Sequence, residues 1–219
     1  MSDVPTVVRV GIPSVRPAEQ RDVPRIAATL TVALADSRWT RWALPEDGRI
    51  QRLTRWHELS GGHRGVSTRS AWVTEDVTAV ATWVPPAGAP GTTPMPADVR
   101  AALDRELPVL SGAHAARVAA TRELVDAARP AGPHWWLEHL GTRPTARRKG
   151  MGRAVLAPAL ARCDADGLPA ATSVHTWAGV RFLRGSGFAV SAALHTADGE
   201  LPVWVLVREP GATPDVDPG

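Results

Sequence analysis

The sequence predicts a mixed α/β domain, a mostly antiparallel sheet containing one parallel pair of strands, and three observations predict it. A β-type run at 134–142, a helical run at 151–166 and a second β-type run at 169–176 follow one another. That order and those lengths make a right-handed crossover between parallel strands. Two pairs of β-rich runs, SAWVTED with TAVATWVPP and FAVSAALHT with LPVWVLVRE, are each joined by a tight polar link and read as antiparallel hairpins, the second through Asp198-Gly199. Finally, 219 residues suffice for one domain with a sizeable core and are too few for two ordinary ones.

Residues 1–13 are expected to be a flexible segment, 14–209 the single domain and 210–219 a disordered tail. SVRPA (14–18) reads as a short edge strand. In 21–37, Val23, Ile26, Ala27, Leu30 and Leu34 recur at helical spacing, with Asp22 placed to cap the helix and Pro24 in its first turn. A second helix over 46–62 carries Ile50, Leu53 and Trp56 and is expected to stop at Gly61-Gly62. After the first hairpin, 87–98 is a Pro/Gly loop, followed by a helical insertion at about 97–129. The parallel unit continues into a short helix over 178–186 that ends in glycines.

Composition excludes several classes. No apolar run approaches the ~20 residues needed to cross a bilayer, and MSDVPTVVRV lacks the features of a signal peptide, so the expectation is a soluble cytoplasmic protein without membrane attachment. Cys163 is the only cysteine, which rules out an internal disulfide and a cysteine-built zinc site; it is expected to be a buried structural thiol, and no metal is expected. The net charge of +3 comes almost wholly from arginine, Lys149 being the only lysine, and the arginines are scattered among acids rather than gathered into a stripe. Nucleic acid is therefore not an expected partner.

The richest local signal is RRKGMG, 147–152, where a strand stops and a helix begins. Gly150 and Gly152 let the backbone turn and present N–H groups at the positive end of the helix starting near Met151. Arg147, Arg148, Lys149 and Arg153 surround that cradle with charge suited to phosphate. The spacing fits neither a dinucleotide-binding GxGxxG nor a P-loop.

RRKGMG resembles the Gln/Arg-x-x-Gly-x-Gly/Ala loop of the GNAT N-acyltransferase superfamily, with LGTRP before it and a long helix after it. RFLRGSGF (181–188) is similar to the superfamily's aromatic-containing helix ending in Gly-Phe, and VRPAEQRDVPRIAATL to its first strand and helix. WWLEHLGTRP, the LAPAL helix and the helical insertion before them are similar to puromycin N-acetyltransferase and its actinobacterial relatives. The resemblance runs from about Val15 to Glu209. It implies a GNAT fold, with helices on both faces of the sheet and the parallel strands splayed around acyl-CoA. It also implies that the co-substrate acetyl-CoA rests its pyrophosphate on Arg147 through Arg153, Met151 included, and its pantetheine arm on the backbone of Leu140, Gly141 and Thr142.

An acceptor amine must arrive deprotonated, so a base is needed. Glu138, mid-strand, is the candidate, because relatives often carry an acid on this strand and a buried carboxylate without purpose is costly. His139 is expected on the opposite face unless a bulge exchanges the two. His175, at the end of the next strand, is the other candidate catalytic group. The superfamily commonly places a tyrosine in the following helix to protonate the thiolate. Leu183 stands there, and the chain has no tyrosine. Nine tryptophans against two phenylalanines suggest an aromatic wall for the acceptor, formed by Trp39, Trp42 and Trp136, while Glu46, Asp47 and Glu58 are candidates to attract a cationic acceptor.

The function implied is transfer of acetyl from acetyl-CoA to the primary amine of a small molecule, an antibiotic-like natural product among the candidates, by direct attack in a ternary complex. A protein or peptide amine is the alternative acceptor, and a non-catalytic acyl-CoA binder the alternative of another class. A monomer or a homodimer fits equally.

Overall fold

The computed structural model describes residues 13–213. The predicted flexible segment lies, but for Pro13, outside them, as do tail residues 214–219. Residues 210–213 are held in place: the Gly211 N–H donates to Asp164 (2.7 Å) and Arg208 donates to the Ala212 carbonyl (3.1 Å).

Seven strands form one sheet: β1 (Val15–Pro17), β2 (Ala71–Thr74), β3 (Ala79–Val84), β4 (Trp135–Thr142), β5 (Ala170–Val174), β6 (Ala189–His195) and β7 (Pro202–Arg208), in the order β1-β2-β3-β4-β5-β7-β6. Every neighbouring pair is antiparallel except β4 with β5. Between β4 and β5 runs the crossover helix α7 (Met151–Asp166 in chain order, numbered after the six helices below). The predicted fold class, mixed α/β with one parallel pair and helices on both faces, is the one observed.

The first face of the sheet carries α1 (Val23–Leu34), α2 (Arg38–Ala43), α3 (Arg49–His57), α4 (Arg64–Ser67), α5 (Ala97–Ser111) and α6 (Ala115–Ala127). The second carries α7 and α8 (Trp177–Arg184). Along α1, Ile26 and Leu30 pack on Val73 and Val80 of the sheet, as the helical spacing predicts. On the second face Val155, Leu156, Ala159 and Cys163 of α7 and Val180 and Leu183 of α8 enclose Trp83, Trp135 and Leu137. Cys163 is fully buried there, and burial pushes its thiol up to about 12, as suits a structural residue.

Two local expectations are corrected, and one short helix is added. Asp22 does not cap α1 with its side chain: the carboxylate accepts from the Glu19 N–H (2.8 Å) and pairs with Arg16 (2.6 Å), tying β1 to the helix entry. Between the two predicted helices, the segment around Trp39 forms the short helix α2, whose Ser37 cap accepts from the Thr40 N–H (3.0 Å). Nor does the chain stop at Gly61-Gly62. It passes through a π-helical stretch, Glu58–His63, straight into α4. The glycines serve packing: a Cβ at Gly61 would lie 2.8 Å from Leu30 Cδ1, and one at Gly62 2.7 Å from Val23 Cγ1, so only glycine lets this stretch rest on α1.

Two irregularities of β4 shape the middle of the sheet. Its pairing with β5 covers only Trp135–Leu137 against Ala170–Thr172, and Thr172 Oγ1 donates to the Leu137 carbonyl (2.8 Å) where the ladder ends. Its pairing with β3 slips by one residue there: Trp83 faces Leu137, Thr82 faces His139, and Glu138 is left over as a bulge. Beyond this point the edge of β4 that faces β5 has no strand partner among the described residues. Among those residues no helix is long and apolar enough to cross a membrane.

Candidate active site

A cavity of about 930 Å³ opens where β4 and β5 part and continues under α5 and α6 on the first face. Leu140, Ser173, Val174, His175, Phe182 and Leu183 line its inner end. Trp56, Leu103, Leu107, Val118, Val125 and Trp136 line its outer end, so the helical insertion roofs the space.

The bulge decides what faces this cavity. Regular alternation would send Glu138 and His139 to opposite faces; with one extra residue in β4, both open onto the first face. Glu138 Oε1 lies 2.9 Å from Arg64 Nη2 and 3.9 Å from Arg122 Nη2. Burial by itself would raise its pKa, but Arg64, His139 and Arg122 outweigh that and hold the carboxyl well below the usual range. Glu138 is therefore a fixed anion bound to Arg64, which makes it a poor proton acceptor.

His139 sits in a different network. Its Nε2 is 2.8 Å from Ser60 Oγ, and Ser60 donates its own proton to the Trp56 carbonyl (2.7 Å). The hydroxyl accepts from the imidazole, which places the ring proton on Nε2 and leaves the Nδ1 lone pair free. Burial lowers the His139 pKa to about 4, the attraction of Glu138 being offset by Arg64 and Arg122. His57, edge-on to His139 at 5.0 Å between centroids, is pushed well below its ordinary value by burial and then by His139. Both are neutral near pH 7. His175 stacks on Trp39 (4.3 Å between centroids, 10° between planes), and burial pushes it down to about 4. Its Nδ1 is buried without a hydrogen-bond partner.

The structure brings together Trp39, Trp136, Glu138, Leu140 and His175 around the cavity. Trp42 is turned away: its Nε1 donates to Asp198 (2.7 Å) and Arg117 lies over its ring (4.8 Å). Gly141 lies under α1, and Thr142 faces Gly152 of α7. Of the acids expected to attract a cation, Glu58 pairs with Arg55 (2.8 Å), and neither Glu46 nor Asp47 lines the cavity. Nothing in the sequence marks Arg64, Arg122 and Arg129, which reach the cavity from segments apart in the chain. His139 joins Glu138 on this face through the bulge that the sequence leaves as an alternative.

At the other end of the split, Gly150 adopts φ 77° and Arg148 φ 61°, a tight left-handed turn that aims the first N–H groups of α7 outward. Arg147 braces the turn by donating to the carbonyls of Thr142 (3.3 Å) and Ala33 (3.1 Å), and Lys149 does so to Thr145 (3.1 Å). Arg153 packs against Gly185 at the end of α8. Met151 packs against the core of the second face. Together, a free strand edge, a cavity at the split and a left-handed turn at a helix start fit an elongated ligand with a phosphate end. No group of His, Cys, Asp and Glu among the described residues could hold a metal.

The sheet order, the single splayed parallel pair and the turn at α7 define the fold of the GNAT N-acetyltransferases. No family model matches the sequence. Solved structures do. A protein described as histone acetyltransferase HPA2 and related acetyltransferase from Corynebacterium glutamicum is 24% identical, covering 94% of this chain and 100% of its own, with a TM-score of 0.66. The Drosophila melanogaster polyamine N-acetyltransferase, which forms N-acetylagmatine, is 16% identical over 90% of this chain and 99% of its own, with a TM-score of 0.52. The ribosomal-protein-S18-alanine N-acetyltransferase of Escherichia coli is 12% identical over 93% and 98%, with a TM-score of 0.50.

Proposed function

We propose that the protein is a cytoplasmic N-acetyltransferase that moves acetyl from acetyl-CoA to the primary amine of a small molecule by direct attack in a ternary complex. The observation that carries this reading is the cavity that joins the β4–β5 split to the space under α5 and α6. The roofed outer end favours a compact acceptor over a peptide lying across the surface. Similar folds act on polyamine and protein amines, so the fold alone leaves the acceptor open. An antibiotic-like natural product is the acceptor that the resemblance read from WWLEHLGTRP implies.

Bound acetyl-CoA supplies the acyl group and a thiolate that leaves readily. The α7 turn, with Arg148, Lys149 and the N–H groups after Gly150, holds its pyrophosphate, and the unpaired edge of β4 through Leu140, Gly141 and Thr142 holds its arm. His139 Nδ1 takes the amine proton, directly or through water, while Ser60 fixes the tautomer. Glu138 stabilises the imidazolium so formed, and Arg64 keeps that carboxylate ionised and in place. His175 closes the inner end against Trp39.

Thiol release from acetyl-CoA over a panel of amines tests this. Turnover with a primary amine, abolished in His139→Ala, is the expected result. Tight acetyl-CoA binding with no turnover would favour a non-catalytic acyl-CoA binder, the reading to which Leu183 in place of a tyrosine lends support.

A further inference from the structure

The charge of the cavity points to the class of acceptor. Five guanidiniums, Arg38, Arg64, Arg100, Arg122 and Arg129, line it against two carboxylates, Asp104 and Glu138. The histidines on its wall add no negative charge. Arg64 is committed: Nη2 to Glu138 (2.9 Å) and Nε to the Ser60 carbonyl (3.2 Å). Arg122 is not. It lies 3.9 Å from Glu138, too far for a hydrogen bond, makes none elsewhere among the described residues, and is half exposed.

Arg129 completes the cluster. Its guanidinium carbon lies over Trp136 at 3.7 Å from the ring centroid, and its Nε is 3.0 Å from Asp126. Arg129 is half-buried, with its side chain 26% exposed, and Arg122 and Arg64 line the same cavity. Three guanidiniums around one carboxylate, Glu138, leave this end of the cavity short of negative charge. A simple cationic amine or polyamine would worsen the shortage.

We infer that the acceptor is an amine that also carries an anionic group, a carboxylate or a phosphate, which Arg122 and Arg129 bind while the amine reaches His139 at the strand split. This rests on the acetyltransferase reading above. Both arginines come from α6 and the turn after it, so the helical insertion would select the acceptor as well as roof the cavity. A guanidinium fork suits the two oxygens of either anion.

Matched pairs of amines, differing only in the anion, test the inference with thiol release from acetyl-CoA: 6-aminohexanoate with hexylamine, phenylalanine with phenethylamine, and O-phosphoethanolamine with ethanolamine. We expect kcat/KM for an anionic member to exceed that of its mate by about 10- to 100-fold, the scale of one or two charged hydrogen bonds. The first two pairs against the third separate carboxylate from phosphate. Arg122→Gln should cut that ratio to below about threefold without changing the affinity for acetyl-CoA measured by calorimetry. Turnover of the neutral-tailed amines at equal or greater kcat/KM in all three pairs would overturn the anionic acceptor and leave acetyl transfer standing. Bound acetyl-CoA with no thiol release from any amine would remove the transfer reading and this inference with it.

Discussion

Glu138 and His139 are consecutive in β4, yet both open onto the same cavity, because the strand carries one more residue than β3 between Trp83 and Thr82. The bulge thus sets a carboxylate and an imidazole side by side on the acceptor face. Their partners then divide their work. Arg64 takes the carboxylate at 2.9 Å and Ser60 takes Nε2 of the imidazole at 2.8 Å, so one group is a fixed charge and the other keeps a free lone pair.

Glu138→Gln should lower turnover by a similar factor at every pH between about 6 and 9, since the residue acts by charge and not by proton transfer. It should also destabilise the fold by about 3–5 kcal/mol, because Arg64, only 11% exposed, loses its counter-ion. Glu138→Leu combined with Arg64→Met should recover most of that stability while remaining inactive. Thermal melts and pH–rate profiles read both effects. A loss of rate that vanished at high pH would return Glu138 to the role of base.

The pH–rate profile of the parent follows from His139. With its pKa near 4 the imidazole is already unprotonated throughout the neutral range. Log kcat/KM should therefore climb with a slope of about one as the amine loses its proton, with no break near 6.5. His139→Ala should cost about 10²–10⁴-fold, the usual worth of a positioned general base. A break at 6.5 in the parent would show that the imidazole titrates as if exposed.

Much of this was legible in the sequence, for stated reasons. The period of Val23, Ile26, Leu30 and the strand–helix–strand order fix α1 and the parallel pair, because apolar burial repeats on the helix and the sheet alike. RRKGMG locates the turn before α7 because few residues other than glycine tolerate φ 77°. What failed was long-range. Gly61-Gly62 looks like a stop until Leu30 and Val23 are seen against it. The face of His139 depends on a register slip that neither strand reveals alone, and Arg64, Arg122 and Glu138 meet from three distant segments. Trp42 and Trp39 are near neighbours in sequence, but a helix turns one toward Asp198 and the other toward His175.

Acetyl-CoA binding should depend on the α7 turn. Gly150→Glu places a negative side chain at φ 77° beside the phosphate site, adding backbone strain of about 1 kcal/mol to charge repulsion. Gly152→Val is a steric probe: even its Cβ would sit 3.1 Å from Phe182 Cζ, so the Phe182 ring must give way. Calorimetry should show at least tenfold weaker binding for Gly150→Glu in a protein that melts within a few degrees of the parent. Unchanged affinity would move the phosphate site elsewhere.

The buried histidines predict acid sensitivity. The folded-state pKa values of His139 and His175 lie near 4, below the ordinary 6.5, with His57 lowered as well. Between those values the unfolded chain binds protons that the folded one refuses. The stability present at pH 7 is lost as the pH falls from about 6.5 toward 4, by roughly 1–3 kcal/mol for each of His139 and His175. Denaturant melts at pH 7 and 5 should separate clearly. His175→Gln should narrow the gap, and equal midpoints for the parent would mean the rings are solvated.

The resemblance read in the sequence puts Leu183 where the superfamily commonly carries a tyrosine, and the residue is both core and cavity wall. It is 2% exposed, packs with Val180 and Phe188, and still borders the inner end of the cavity beside Phe182. A tyrosine there has two ways to fit. Directed into the cavity, its hydroxyl would enter the space that Ser173 and His175 also line; directed into the core, it would overpack α8 at a cost of about 1–3 kcal/mol. The open side offers the lower cost, so Leu183→Tyr should fold with only a small drop in melting temperature. A thiolate leaves readily without help, and little of the ~10²–10⁴-fold typical of general acid catalysis is recoverable. We therefore expect kcat to rise by less than about tenfold, with acetyl-CoA affinity unchanged. Solvent isotope effects on kcat, compared between the parent and Leu183→Tyr, check whether the new hydroxyl delivers a proton. A large fall in kcat with an intact fold would instead mean that the cavity end at Leu183 must stay open for the acyl group.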